Sequence, residues 1–294
     1  MQGKTIIITG GTGGIGKETA IGLSKLGAHI IITGRNQQRG EQSVAEIREL
    51  SGNTKVDLLI ADMASQAEIR QLVDEVINRY HRLDVLINNV GVLSAERQLT
   101  VDGPELNFAV NHLAPFLLTH LLLPLLQSSA PARVINVTGG FPKTIDLENL
   151  QAEKSYSGIA TYSHSKAIMM AASYEFAQRI KDSGVTINVA YPGVAGTDMT
   201  RNMSPAMMPF LMRLFMPIAR RMMMRNNASA AKAARSSIYL ASSPDVEGVT
   251  GHYFNTGSKV TKWSAAVLHP ETRLSIWELS ETLTGMAHRP YRYT

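Results

Sequence analysis

Cysteine is absent from the chain, which excludes disulfides, thiolate catalysis and cysteine-held metals. The eight histidines are scattered and none stands at metal-ligand spacing, so no metal is expected. Long apolar runs are also scarce. The longest, Pro115 to Leu126, carries His120 and two prolines and reads as too short to span a bilayer. The first apolar strand begins almost at the N-terminus, so no signal peptide is expected. The excess of positive charge is small, +5 at pH 7, which suits an anionic cofactor and does not call for a nucleic acid. Linkers, repeats and low-complexity tracts are missing, so residues 1–294 read as one domain. The 44% hydrophobic content is enough to build a core.

What is present is concentrated near the start. Lys4 to Thr9 reads as a short buried strand, and Gly10-Gly11-Thr12-Gly13-Gly14-Ile15-Gly16 follows, five of those seven residues being glycine. Lys17 to Leu26 then has a helical pattern. A strand, a glycine turn and a helix form a phosphate-binding layout: the backbone approaches a pyrophosphate closely, and the helix N-terminus offers free N–H groups and a partial positive charge.

Further strands are expected at Ala28–Thr33, Val56–Ala61, Leu83–Asn88, Arg133–Thr138 and Val185–Tyr191, with a short one around His252–Asn255. Helical patterns separate them, among them Asp102–Gln127, Thr161–Ile180, Ser229–Ala241 and Pro270–Leu283. This alternation predicts an α/β fold: a doubly wound, about seven-stranded parallel sheet with helices on both faces.

The residue ending the second strand meets the adenosine ribose in dinucleotide folds, where an acid selects NAD and an arginine accepts a 2′-phosphate. Gly34-Arg35-Asn36 stands there, and the next acid, Glu41, falls in the following helix. This favours NADP(H), with Lys17 as a second positive charge. Tyr162 and Lys166 stand at i and i+4, on one face of a helix. An ammonium beside a phenol lowers a pKa that is ordinarily about 10, which makes Tyr162 a candidate proton carrier.

Together these motifs resemble those of the short-chain dehydrogenase/reductase family along essentially the whole chain. Thr9-Gly10-x-x-x-Gly14-x-Gly16 matches its cofactor loop, which also takes in Thr12, Gly13 and Ile15. Asp62, followed by Met63, matches the acid that meets adenine. Asn88-Asn89-Val90-Gly91 resembles Asn-Asn-Ala-Gly, and Asn111 matches the asparagine of the proton relay. Tyr162 and Lys166 match the catalytic pair, and Pro192-Gly193-Val194 with Thr197 matches the loop that holds the nicotinamide carboxamide. Within the family, Gly14 to Ala20, Tyr162-Ser163-His164-Ser165-Lys166 and Leu274 to Ser280 are most similar to the retinol-dehydrogenase-like branch. That likeness implies NADP(H) and a lipophilic alcohol or carbonyl substrate.

One position departs. Where the family places a serine after the fifth strand, this chain reads Val137-Thr138-Gly139, with no side chain at the serine's position. Thr138 is a candidate substitute, although a one-residue slip on a strand turns a side chain to the other face. Thr144, Ser155 and Ser157 are loop alternatives. The glycine deletes a donor and is expected to leave room beside the nicotinamide. A nucleotide-binding regulatory protein with weak catalysis is the rival reading.

Eight methionines lie between Met203 and Met224, and Arg201 to Arg235 holds seven basic residues and no acid. Three readings stay open for residues 200–225: an adaptable lid over an apolar substrate, a peripheral contact with a membrane surface, and a contact in a homo-oligomer. Pro205, Pro209 and Pro217 favour the lid. The expected location is cytoplasmic, peripheral to a membrane if the second reading holds.

Overall fold

The structure is a computed structural model that describes residues 1–139, 144–193 and 230–286. The Met-rich segment, and with it Val194 and Thr197, lies outside the described residues.

Six strands carry the framework: β1 (Thr5–Ile8), β2 (His29–Gly34), β3 (Val56–Ile60), β4 (Val85–Asn88), β5 (Ala132–Val137) and β6 (Val185–Ala190). Short strands β7 (Tyr253–Phe254) and β8 (Val260–Thr261) complete an eight-stranded sheet in the order β3-β2-β1-β4-β5-β6-β7-β8. Every pairing is parallel except β7 with β8, which is antiparallel. The expected seven parallel strands thus gain an antiparallel edge. Two residues of Val260–Thr261 carry no periodic signal, and only the partner strand defines them.

Among the described residues the α-helices are α1 (Gly14–Lys25), α2 (Gln37–Ser51), α3 (Gln66–Arg79), α4 (Leu106–Ser128), α5 (Gly158–Arg179), α6 (Ala230–Ser242), α7 (Ala265–Leu268) and α8 (Pro270–Thr284). Alternate strand residues divide between two cores, because successive side chains point to opposite faces. Ile6, Ile8, Ile30 and Ile32 pack on the face covered by α1, α2 and α6. Ile7, Ile31, Leu86 and Val134 pack on the face of α3, α4, α5 and α8.

Helix α4 corrects the apolar-run reading. Over its 23 residues it is long and apolar enough to cross a membrane, but 83% of its apolar stretch is buried inside the protein. It is the central helix of one core. Its regular winding is interrupted by a π turn at Ala109–Leu113, where the Ala114 N–H reaches back to the Ala109 carbonyl.

The α4/α8 core is rich in rings. Phe116 meets Trp277 and His120 at 5.0 and 4.4 Å, and Phe176 meets Trp277 at 5.2 Å. Arg179 lies over the Trp277 ring at 4.2 Å. Burial pushes His112 down to about 3 and His120 down to about 4, so both are neutral in the fold. In the unfolded chain they take up protons below about pH 6.5. Their contribution to stability is therefore complete above that pH and is lost progressively as the pH falls toward the folded values. At pH 5 each histidine should cost about 2 kcal/mol. Thermal melts between pH 7 and 5 should show this loss, and a His112→Gln/His120→Gln double variant should flatten it. An equal slope in both proteins would refute the assignment.

Candidate active site

The loops that follow β1, β4, β5 and β6 meet at the carboxyl edge of the sheet. The strand order reverses between β1 and β4, which opens the crevice where such sheets hold ligands. Thr9 fastens the first two loops: its hydroxyl oxygen accepts from Asn89 N (3.0 Å) and Val90 N (3.1 Å), and Asn89 Nδ2 donates to the Thr9 carbonyl at 2.9 Å.

The glycines of the turn are required by close approach. Gly10 has φ +67°, and a Cβ there would stand 2.9 Å from a Val90 methyl. A Cβ on Gly16 would lie 2.5 Å from Asn89 Nδ2 and would overlap the Gly10 carbonyl oxygen. Gly13 caps α1 and leaves the helix N-terminus open, with no side-chain cap. A bare backbone cradle at a helix start fits a pyrophosphate.

At the ribose end, Arg35 is exposed beyond β2, and Asn36 accepts from Arg39 N at 2.8 Å to cap α2. Arg39 is a residue that the sequence reading missed. Its Nε donates to the Thr12 carbonyl at 3.3 Å, and its guanidinium lies over Gly13, 2.7 Å from where a Cβ would stand. The available signal was its place four residues beyond Arg35, in the first turn of α2. Lys17, expected to supply the second charge, is instead ion-paired with Glu46. That partner lies on the next helix, α2, and nothing local to Lys17 announces it. Asp62 closes the loop after β3, its Oδ1 accepting from Ala64 N at 2.9 Å, and Met63 behind it is buried.

The catalytic candidates meet deeper in the crevice. Asn111, carried by the π turn, is fully buried. Its Oδ1 accepts from Val92 N at 2.8 Å, and its Nδ2 donates to the Val92 carbonyl and to Ser165 Oγ, both at 2.9 Å. Ser165 Oγ in turn donates to the Tyr162 carbonyl at 2.8 Å. Lys166 Nζ donates to the Val137 carbonyl at 3.0 Å. A Cβ on Gly91 would stand 3.3 Å from Asn111 Oδ1 and 3.4 Å from Lys166 Nζ, so glycine lets those two side chains approach β4.

The ionisation differs from the expected phenolate. Burial, and then the neighbouring Tyr191, push Tyr162 up to about 12, and burial brings Lys166 down to about 8. The Lys166 ammonium is turned onto the Val137 carbonyl, and burial sets the ionisation of Tyr162. The phenol is therefore protonated at neutral pH.

Gly139 also departs from expectation. A Cβ there would overlap the Tyr162 hydroxyl oxygen and stand 3.1 Å from Cζ. The space left by the missing serine side chain is filled by the tyrosine hydroxyl. Beside it Thr138 is buried, and its hydroxyl has no partner among the described residues. Of the loop alternatives, Thr144 and Ser155 are exposed, and Ser157 stands at the start of α5. Pro192 and Gly193 follow β6. Gly193 has φ +79°, and a Cβ on it would be 2.8 Å from a Thr256 methyl.

A doubly wound sheet with a glycine cradle at its switch point defines a Rossmann fold. The model of the short chain dehydrogenase family matches residues 4–207, and the chain belongs to that family of oxidoreductases. It is 35% identical to human retinol dehydrogenase 14, over 97% of this chain and 88% of that protein. It is likewise 35% identical to human polyprenol dehydrogenase, over 96% of this chain and 86% of that protein. Among solved structures it is similar to the Pseudomonas aeruginosa RhlG/NADP active-site complex: TM-score 0.67, 28% identity, 87% of this chain and 95% of that one.

Proposed function

We propose that this protein transfers a hydride between NADP(H) and an apolar alcohol or carbonyl compound, with Tyr162 as the proton carrier. The observation that carries the reading is the convergence of Tyr162, Lys166 and Asn111 around Gly91 and Gly139 at the carboxyl ends of β4 and β5. A protonated phenol is an acid ready to donate to a carbonyl oxygen, and in the alcohol-oxidising direction the same oxygen takes the proton back. Lys166 would hold the cofactor's sugar with its ammonium and, freed from the Val137 carbonyl, would lower the phenol's pKa. Asn111 holds the loop after β4 and orders the path by which Tyr162 regains its proton. Thr138, unpartnered among the described residues, offers a hydroxyl next in sequence to the missing serine.

The cofactor's nicotinamide supplies or accepts the hydride when bound. Thr9 to Gly16 would hold its pyrophosphate, Asp62 and Met63 its adenine, and Asn89, Val90, Gly91, Pro192 and Gly193 its nicotinamide half. Arg35 and Arg39 would hold the 2′-phosphate. The apolar substrate class is supported by the retinol and polyprenol dehydrogenases among the relatives. Assays with a retinoid and a long-chain alcohol plus NADP⁺, and with the matching aldehydes plus NADPH, test the reading. Turnover in neither direction would refute it.

Arg–phosphate pairs should give NADPH about a 10–100-fold advantage over NADH in affinity. Titration of both cofactors measures it, and an Arg35→Ala/Arg39→Ala double variant should erase most of it. Equal affinities in the unmodified protein would overturn the NADP(H) preference.

A further inference from the structure

Helix α8 lies far along the chain from the catalytic candidates, yet it carries a side chain that reaches the helix holding Asn111. His112, the next residue on the π turn, is 1% exposed, and its Nε2 lies 2.7 Å from Ser280 Oγ on α8. Ser280 has one hydroxyl hydrogen, and it goes to the Ile276 carbonyl at 2.6 Å. Ser280 Oγ can therefore only accept from the imidazole, so His112 carries its proton on Nε2. The other ring nitrogen, Nδ1, is buried without a partner among the described residues.

That arrangement is a poor way to gain stability. The imidazole sits between Phe108 and Phe116, at 5.1 and 6.1 Å, where an apolar side chain would pack without an orphaned acceptor. What it achieves is direction. A π turn is a strained interruption of a helix and is often found at functional sites. This one carries Asn111, whose Nδ2 bonds Ser165 Oγ, which bonds the Tyr162 carbonyl. Helix α8 itself is firmly seated: Trp277 is buried in the ring cluster, and Arg70 donates to the Thr284 carbonyl at 2.6 Å.

We infer that His112 and Ser280 are a positioning pair, through which the C-terminal helix holds the π turn and so the aim of Asn111 and Tyr162. The inference rests on the proposed place of Asn111 in the proton path. Neither residue of the pair touches the reacting atoms; they act through their neighbours.

Ser280→Ala removes the acceptor and little volume, and the rest of the α8 seating is untouched. Displacement of a catalytic group by about 1 Å costs on the order of a hundredfold in rate, so kcat should fall about ten- to a hundredfold. The KM for NADPH should stay within about twofold, since the cradle after β1 is remote from the change. Ser280→Thr, which keeps the hydroxyl, should restore kcat. A kcat for Ser280→Ala within about twofold of the parent, or equal losses in the alanine and threonine variants, would overturn the inference.

Asn111→Ala, assayed in parallel, separates the two levels of the argument. Turnover lost in Asn111→Ala but kept in Ser280→Ala overturns the positioning pair alone. Turnover kept in Asn111→Ala overturns the proton-path reading and the pair with it. Should Ser280→Ala not fold, the bond can be read from its other end. His112→Gln retains a nitrogen donor toward Ser280 and should keep most of the turnover that His112→Leu loses. Equal kcat in those two would again overturn the pair.

Discussion

Tyr162→Phe is expected to remove nearly all turnover, by about 10²–10⁴-fold, while NADPH affinity stays within about twofold. The two side chains differ by one oxygen, and that oxygen is the proposed site of proton transfer. Burial holds Tyr162 near 12, so at neutral pH the hydroxyl keeps its proton until a substrate oxygen demands it. The ring contributes packing at the start of α5, which phenylalanine retains, so the variant should melt close to the parent. Steady-state assays, cofactor titration and a thermal melt on one preparation decide the matter. A variant that keeps most of its activity would remove Tyr162 from the chemistry. A variant that loses cofactor affinity as well would mean that the oxygen's main role is in binding.

The alternation of strands and helices was legible because each strand of a parallel sheet is a short apolar run, and because each crossover helix repeats a 3.6-residue pattern. The glycine turn was legible for a similar local reason: a backbone that must pass close to other atoms excludes side chains, and glycine records that in the sequence. What escaped were facts settled by long-range packing. Lys17 reads as a phosphate ligand when only its own helix is considered, and it becomes half of an ion pair once α2 brings Glu46 alongside. Val260–Thr261 is a strand only because Tyr253–Phe254 lies beside it. The π turn at Asn111 has no compositional signature in Ala109-Val110-Asn111-His112-Leu113, and the Ser280 partner of His112 stands on the last helix of the described chain. The Tyr162–Lys166 pair was correctly placed on one helix. Its ionisation was not foreseen, because sequence spacing shows proximity but not the desolvation that opposes the charge.

Gly139 should prove intolerant of any side chain, including the serine that the family usually carries there. From the sequence, this glycine deletes a donor and is expected to leave room beside the nicotinamide. The structure changes the expectation, because a Cβ at 139 overlaps the Tyr162 hydroxyl and stands 3.1 and 3.4 Å from Cζ and Cε1. A Cβ does not tolerate contacts below about 3 Å in a packed interior, so either the ring or the end of β5 must move. The ring is the freer of the two, since β5 is held by β4 on one side and β6 on the other. Its retreat carries the hydroxyl about 1 Å from its place, a displacement worth on the order of a hundredfold in rate. Gly139→Ala and Gly139→Ser should both lose turnover to that degree, and the added hydroxyl of serine should not rescue it. The cause can be isolated by repeating Gly139→Ala in the Tyr162→Phe background. Phenylalanine lacks the overlapping oxygen but keeps Cζ at 3.1 Å, so the alanine should lower the melting temperature of the parent clearly more than that of the phenylalanine variant, a non-additivity expected only of groups in contact. Gly139→Ser with raised turnover, or equal destabilisation by Gly139→Ala in both backgrounds, would show that the tyrosine hydroxyl does not occupy the serine's place.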